Sequence, residues 1–223
     1  MITSLRSRAV LLLAILTLST AAHAQYSSGH GTGWEGGLDV IYQNATTLNF
    51  KGGTTANIDT DWAIGFTVGY RVNPHIDALF GMDWQHVDYR ANLALGTGGI
   101  QPAYGDYQAF TPRFNVELNL LDRPFTPYAV AGIGYSFIDT NIPSGRPQTG
   151  CWWDPWYGYI CTTVQSTRQE NGVAYQVGAG VRWDVATGAT VRLAFERHWV
   201  DLGGNVGTPG FDQIRLLLSW RYF

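Results

Sequence analysis

Taken alternately, residues 110–120 (F-T-P-R-F-N-V-E-L-N-L) fall into two rows that do not mix. Phe110, Pro112, Phe114, Val116, Leu118 and Leu120 make an apolar row; Thr111, Arg113, Asn115, Glu117 and Asn119 make a polar one. A period of two marks a strand. A strand divided so completely lies between two media, either core and water in a soluble sheet or lipid and a polar lumen in a membrane barrel.

The pattern recurs along the chain. Leu38, Val40 and Tyr42 oppose Glu35, Gly37 and Asp39 in 34–43, with Ile41 out of step. Trp62, Ile64, Phe66, Val68 and Tyr70 oppose Ala63, Gly65, Thr67, Gly69 and Arg71 in 61–71. In 76–89 Ile76, Ala78, Phe80, Met82 and Trp84 face away from Asp77, Gly81, Asp83 and Gln85; Leu79 is an exception. Val87 and Tyr89 then stand on the polar parity, which predicts a bulge near His86. Ala129, Ala131, Ile133, Tyr135 and Phe137 alternate with small and polar residues in 125–138. The same holds for 173–185, from Val173 to Val185 around Gln176, Arg182 and Asp184. In 190–200 Val191, Leu193 and Phe195 alternate with Arg192, Ala194, Glu196 and His198, and the last strand is 211–223.

Eight strands result, and their connections alternate in length. Asn73-Pro74-His75, residues 121–124 and Thr187-Gly188 are short turns; 45–58, 91–105, 141–170 and 203–210 read as long loops rich in Gly, Thr and Asn. Pro112 cannot donate to a ladder, so its expected place is the extracellular rim. The sequon Asn44-Ala45-Thr46 is short enough to be chance.

Composition decides between the two media. Only 14% of residues are charged, Lys51 is the sole lysine, and 31 residues are aromatic. Soluble domains carry about 25% charge, and this chain lacks the residues for a wet outer surface. Arg6 and Arg8 precede an apolar run over 9–18 and the Ala22-His23-Ala24 site, the organisation of a cleaved secretory signal peptide over 1–24. Residues 25–223 are then the exported barrel. The apolar run is too short to span a bilayer, where roughly 20 residues are needed. Setting Arg6 and Arg8 aside, 12 basic groups face 17 acidic ones, which argues against nucleic acid as a partner. Together these features predict an all-β, eight-stranded antiparallel up-and-down transmembrane β-barrel in a bacterial outer membrane, closed because lipid satisfies no open sheet edge. Outer-membrane lipid and lipopolysaccharide are its expected surroundings, with Trp62, Tyr70, Trp84, Trp183 and Trp220 suited to the interfaces.

The stretches P-Y-A-V-A-G-I-G-Y at 127–135, Y-Q-V-G-A-G-V-R-W at 175–183 and the terminus Ser219-Trp220-Arg221-Tyr222-Phe223 resemble the small eight-stranded outer-membrane barrels of Gram-negative bacteria, of the OmpA and opacity-porin type. The resemblance spans 25–223. It implies that the terminal aromatics Trp220, Tyr222 and Phe223 are read by the barrel-assembly machinery. Trp220 and Tyr222 share the outward parity of Ile214, Leu216 and Leu218, so Phe223 stands on the other parity, and either the end frays or Tyr222 takes part of the signal.

The polar rows, if inward, collect Asp39, Asp77, Asp83, Glu117, Asp184 and Glu196 with Arg71, Arg113, Arg182, Arg192, Arg215 and Arg221. Eight strands leave an interior just filled by side chains, so these charges are expected to pair as a plug; a narrow porin-like channel for small or apolar solutes is the alternative. A lipid-modifying enzyme is a third reading, resting on Glu196, His198 and Asp201. Trp199-Val200 stands where lipid A deacylase barrels carry Ser or Asn after the His, and we expect no catalytic residues. No His or Cys pair has zinc spacing, and no metal or cofactor is expected. The two cysteines, Cys151 and Cys161, should form a disulfide in an exported chain. Between them lie Trp152, Trp153, Trp156, Tyr157 and Tyr159, and Asp154-Pro155 favours a turn. Such rings make either a contact element for a glycan or other surface partner, or a cover over the barrel mouth.

Overall fold

The computed structural model describes residues 32–49, 55–94, 100–186, 188–203 and 208–222. The expected signal peptide and Phe223 lie outside the described residues. Ten strands form: β1 (Gly33–Gln43), β2 (Thr46–Asn49), β3 (Thr55–Ile58), β4 (Asp61–Asn73), β5 (Ile76–Ala94), β6 (Ile100–Asn119), β7 (Phe125–Asp154), β8 (Gly158–Ala186), β9 (Ala189–Asp201) and β10 (Gly210–Tyr222). All but β2 and β3 make a closed eight-stranded antiparallel barrel. Each pairs with its sequence neighbours around the ring, and β1 closes on β10, with Trp34 opposite Tyr222 and Gln43 opposite Gln213. Closure leaves no edge strand in the barrel wall, as lipid requires.

The alternation places the side chains as the sequence pattern demands. The row from Phe114 to Leu120 faces outward and exposed, while Arg113, Asn115, Glu117 and Asn119 are buried inside. The other strands behave alike, so the molecule is apolar outside and polar within. Aromatic rings gather in two bands on the outer surface. Trp34 stacks edge-on to Tyr70 toward the short turns. Toward the long connections Tyr42 meets Trp62, Phe110 lies between Trp84 and Phe137, and Tyr175 stacks on Trp199. Trp62 and Tyr70 bracket β4, a rise of roughly 26 Å along the strand and about 20 Å along the axis at a tilt near 40°. The apolar band of an outer-membrane barrel is about 25 Å tall, and the distance from ring to ring accounts for most of it.

Three expectations need correction. First, there is no bulge at His86: the β5/β6 register runs unbroken from Asp83 opposite Thr111 to Tyr89 opposite Gly105. Val87 is fully buried because it stays on the inward parity. What changes there is the chemistry of the lumen and not the phase of the strand. Second, Pro112 is inside β6, opposite Met82, one dyad below the outer aromatic band. The β6/β7 ladder skips it, resuming between Phe110 opposite Phe137 and Arg113 opposite Gly134. Proline has no N–H to give, and the hydroxyls of Thr111 and Ser136 bond across the gap at 2.5 Å.

Third, three of the four long connections, 45–58, 91–105 and 141–170, hold strand. β2 and β3 form a hairpin within 45–58, and β3 adds to the upper part of β5, with Ile58 opposite Tyr89. β5 and β6 stay paired up to Ala94 opposite Ile100. β7 and β8, of 30 and 29 residues, carry their pairing through 141–170 to Asp154 opposite Gly158, with irregularities between Asp139 and Pro143 and between Ser144 and Gln148. Above the membrane band no lipid face enforces alternation, so Gly, Thr and Pro occur freely in strands that the periodicity does not reveal.

Candidate functional site

Three layers stack along the barrel axis: a charged lower lumen, an apolar upper chamber and the tip of the β7/β8 hairpin.

The lower lumen holds two groups of ion pairs. At mid-height Arg215 donates from Nε to Glu196 (2.9 Å) and from its two Nη atoms to Asp39 (3.2 Å) and Asp83 (2.9 Å). Arg113 meets the same two aspartates, Nε to Asp83 at 2.8 Å and Nη2 to Asp39 at 3.4 Å. Thr67 completes Asp39 with a 2.5 Å hydroxyl bond. The Arg113 guanidinium has room because residue 81 is glycine: a Cβ there would sit 2.9 Å from its Cζ and Nη2. Nearer the short turns Asp77 is the hub, reached by Arg71 (2.9 Å), Arg182 (3.1 Å), Arg192 (3.5 Å) and the Asn119 amide (2.9 Å). Arg192 also meets Glu35 (2.5 Å) and Glu117 (3.0 Å), and Arg182 meets Asp184 (2.9 Å). Arg221, half-buried, stands opposite Glu35 in the β1/β10 register.

Eleven of the twelve charges read from the sequence therefore meet in these two groups, and Glu35 joins them. Its inward parity with Asp39 was the available signal. Paired, hydrogen-bonded charges are the form in which a barrel interior tolerates ionised groups. Glu196 is held by Arg215, while His198 Nδ1 faces the Gln176 side-chain oxygen at 3.4 Å. Among the described residues, no group of three His, Cys, Asp or Glu side chains is arranged to hold a metal ion.

Above this layer the inward-facing residues turn apolar. Ile58, Val87, Tyr107, Ala174, Val200 and Phe211 form a buried cluster, with Leu48, Tyr89, Ala109, Ile138 and Leu202 packed on it. All of these but Val87 and Ala174 line a cavity of about 400 Å³ whose floor is made by Gln43, Gln85, Thr111, Ser136 and His198. Burial pushes the Tyr107 phenol up to about 12, and it raises Tyr89 too, with the Asp106 charge adding. Neither wall phenol ionises near neutrality. Sequence reasoning missed this chamber. The signal was there, in Val87 and Tyr89 on the parity of Asp83 and in Val200 on that of Glu196, but apolar residues on a polar parity read as a slipped phase.

At the tip, Cys151 and Cys161 are directly opposite, Cα atoms 4.1 Å apart, and joined by a disulfide. Asp154 turns the chain: its Oδ1 accepts from the backbone N–H of Trp156 (2.8 Å) and Tyr157 (3.0 Å). Gly158 follows at φ 79°, a left-handed position that suits glycine. Trp153 lies opposite Tyr159. Opposed residues in an antiparallel pair project to the same face, so these rings share the disulfide's side of the ribbon. All four described rings are bare: Trp153 71%, Trp156 87%, Tyr157 83% and Tyr159 70% exposed. Trp152 is on the opposite parity, opposite Ile160. Of the terminal aromatics, Trp220 faces outward beside Ala189 of β9, and Tyr222 ends the described chain opposite Trp34.

A family model described as an outer membrane protein beta-barrel domain matches residues 10–222. The chain belongs to that family. It is a bacterial outer-membrane protein, and its apolar outer face is the lipid face. In outer-membrane barrels short turns commonly face the periplasm and long connections the outside. No curated protein matches the chain. Among solved structures, Neisserial surface protein A is similar over 86% of this chain and 98% of its own, at 14% identity and a TM-score of 0.48. The outer membrane protein OprG from Pseudomonas aeruginosa is similar over 88% and 99%, at 14% identity and 0.49. Ail, the attachment invasion locus protein of Yersinia pestis, solved with the heparin analogue sucrose octasulfate, is similar over 85% and 99%, at 11% identity and 0.45.

Proposed function

We propose that this barrel is a non-catalytic, non-conducting anchor that presents the β7/β8 tip as a contact element at the cell surface. The observation that carries the reading is the set of four exposed aromatic rings on a two-stranded ribbon clamped by the Cys151/Cys161 bridge. Large apolar rings cost free energy when left in water, and rings held on a clamped turn lose little entropy on binding. The partner favoured by this chemistry is a glycan, whose apolar sugar faces lie flat on Trp and Tyr while its hydroxyls stay wet. The paired charges beneath favour an anchor over a channel, since conduction needs mobile groups and a water path. Barrel assembly through Trp220, Tyr222 and Phe223 belongs to the same reading.

A direct test uses the barrel in lipid nanodiscs against immobilised lipopolysaccharide and an array of surface glycans. Retention of the wild type, with a loss of tenfold or more in Trp153→Ala/Trp156→Ala/Tyr159→Ala, is expected. Equal retention of both proteins on every surface overturns the proposal. A variant that keeps its boiling-dependent gel shift has kept its barrel, so the comparison isolates the tip.

A further inference from the structure

The apolar chamber in the upper lumen is a second site, independent of the tip. Its volume of about 400 Å³ lies in the range of small-molecule pockets. The walls include Leu48, Ile58, Tyr89, Val200 and Phe211, and the β2/β3 hairpin contributes Leu48 and Ile58 to them. In the lower lumen the same inward positions carry Arg, Asp and Glu that fill the space. Here they carry apolar side chains that leave it open. Apolar walls around unfilled volume forgo dispersion contacts, and water gains few hydrogen bonds from such walls. A fitting apolar body restores the contacts.

The floor adds a specific demand. Two of its residues, Gln43 and Gln85, each hold a side-chain Nε2 that is buried with no hydrogen-bond partner. A buried donor left unpaired is costly, and an acceptor brought to it recovers that cost. Among the described residues no Lys or Arg lines the chamber, and the one charged lining residue is Glu170. An anionic head group would find a carboxylate and no cation. The floor rests on Asp39, Asp83, Arg113 and Arg215, so a molecule entering from outside meets a closed end.

We propose that the chamber binds a small, neutral, mainly apolar molecule bearing one hydrogen-bond acceptor, with the acceptor on the Gln85 amide and the body among Ile58, Val200 and Phe211. The site is a receptor-like dead end and not a segment of a pore.

The test is a titration of the barrel in lipid nanodiscs, read by NMR at the Gln85 side-chain amide and the Val200 methyls, with 2-heptanone as the neutral probe and heptanoate at pH 8 as the anionic one. Saturable shifts with the ketone, and binding at least tenfold weaker for heptanoate, are expected. Ala109→Trp, which fills the chamber from its wall, should abolish the shifts while the boiling-dependent migration persists. Should that variant not fold, Gln85→Leu gives a second reading: ketone affinity falls several-fold while the barrel is retained. Shifts that grow linearly without saturation, shifts unchanged in a folded Ala109→Trp or Gln85→Leu protein, or equal binding of heptanoate each overturn the proposal, the first two because they report only partition into lipid.

Discussion

Arg215 shows how much one side chain carries. It is the residue that joins Glu196, Asp39 and Asp83, all within 3.2 Å. Replacing it with Met keeps most of the volume but takes Glu196 from its arginine and leaves Asp39 and Asp83 to Arg113 alone, and breaking a buried pair from one side costs about 3–5 kcal/mol. Arg90 makes a comparable 3.3 Å pair with Asp59, but at the wet end of β5, where both side chains are exposed. There solvent and side-chain entropy cancel most of the gain, and less than about 1 kcal/mol is at stake. Arg215→Met should therefore unfold at clearly lower urea concentration from lipid vesicles, and Arg90→Ala at the wild-type concentration. Equal midpoints for the two variants would show that the lumen pairs are not structural. Parity alone identified Arg215 as inward, since it alternates with Ile214 and Leu216. The same rule handled Ile41 and Leu79 less well. They look like errors in the sequence pattern and are two of the most deeply buried apolar residues of the lumen. An interior needs polar groups only where charges must be satisfied, so an apolar residue on the inner row leaves no contradiction to detect.

Among the elements, β7 and β8 separate what sequence reveals from what it hides. Within the bilayer each strand obeys two media at once and its alternation is plain, as in Val173, Tyr175, Val177, Ala179 and Val181 of β8. Past Phe137 no lipid face holds β7 to alternation, and only the cysteines and the Asp154-Pro155 turn mark the ribbon in the sequence. Asp154 lies seventeen residues beyond Phe137, up to roughly 56 Å of strand. An isolated two-stranded ribbon is marginal in water, so its far end depends on local staples. The bridge is one of these: closing a loop of this size contributes about 2–3 kcal/mol in the chain-entropy account. In Cys151→Ser the tip should open more often, and cleavage between the strands by added protease should quicken on the order of 30- to 150-fold where opening precedes cutting. The barrel makes no use of the bridge, and the boiling-dependent shift of the variant should match the wild type. A protease rate unchanged on loss of the bridge would mean that cross-strand pairing alone holds the tip.

For the whole molecule the decisive question is whether the lumen is continuous. The barrel is closed by β1 on β10, it is apolar outside over the height of a membrane, and all of this was legible from the period-two rows and the alternating connection lengths. The partition of the interior was not. The sequence lists inward residues, but whether they plug, line or vacate the space depends on which strands face each other across the axis. Asp39 on β1, Asp83 on β5, Arg113 on β6, Glu196 on β9 and Arg215 on β10 come together only because ring closure brings opposite walls within side-chain reach. With those five charges bonded to one another at mid-height, an ion crossing the barrel must break several buried pairs at once. Each exchange exposes a charge in a low-dielectric interior, where single breaks already cost several kcal/mol. The wild type should then give no resolvable single-channel steps in planar bilayers at moderate voltage. Replacing the cluster with small neutral residues, Asp83→Ala/Arg113→Ala/Arg215→Ala, removes both the charge and the bulk that fill the lumen at that level. Where that variant keeps its boiling-dependent migration, it should conduct. Steps from the wild type would mean that the pairs open readily and that the barrel is a channel. Silence from a folded triple variant would place the barrier elsewhere in the lumen, nearest at the Asp77 hub, where Arg71, Arg182 and Arg192 converge.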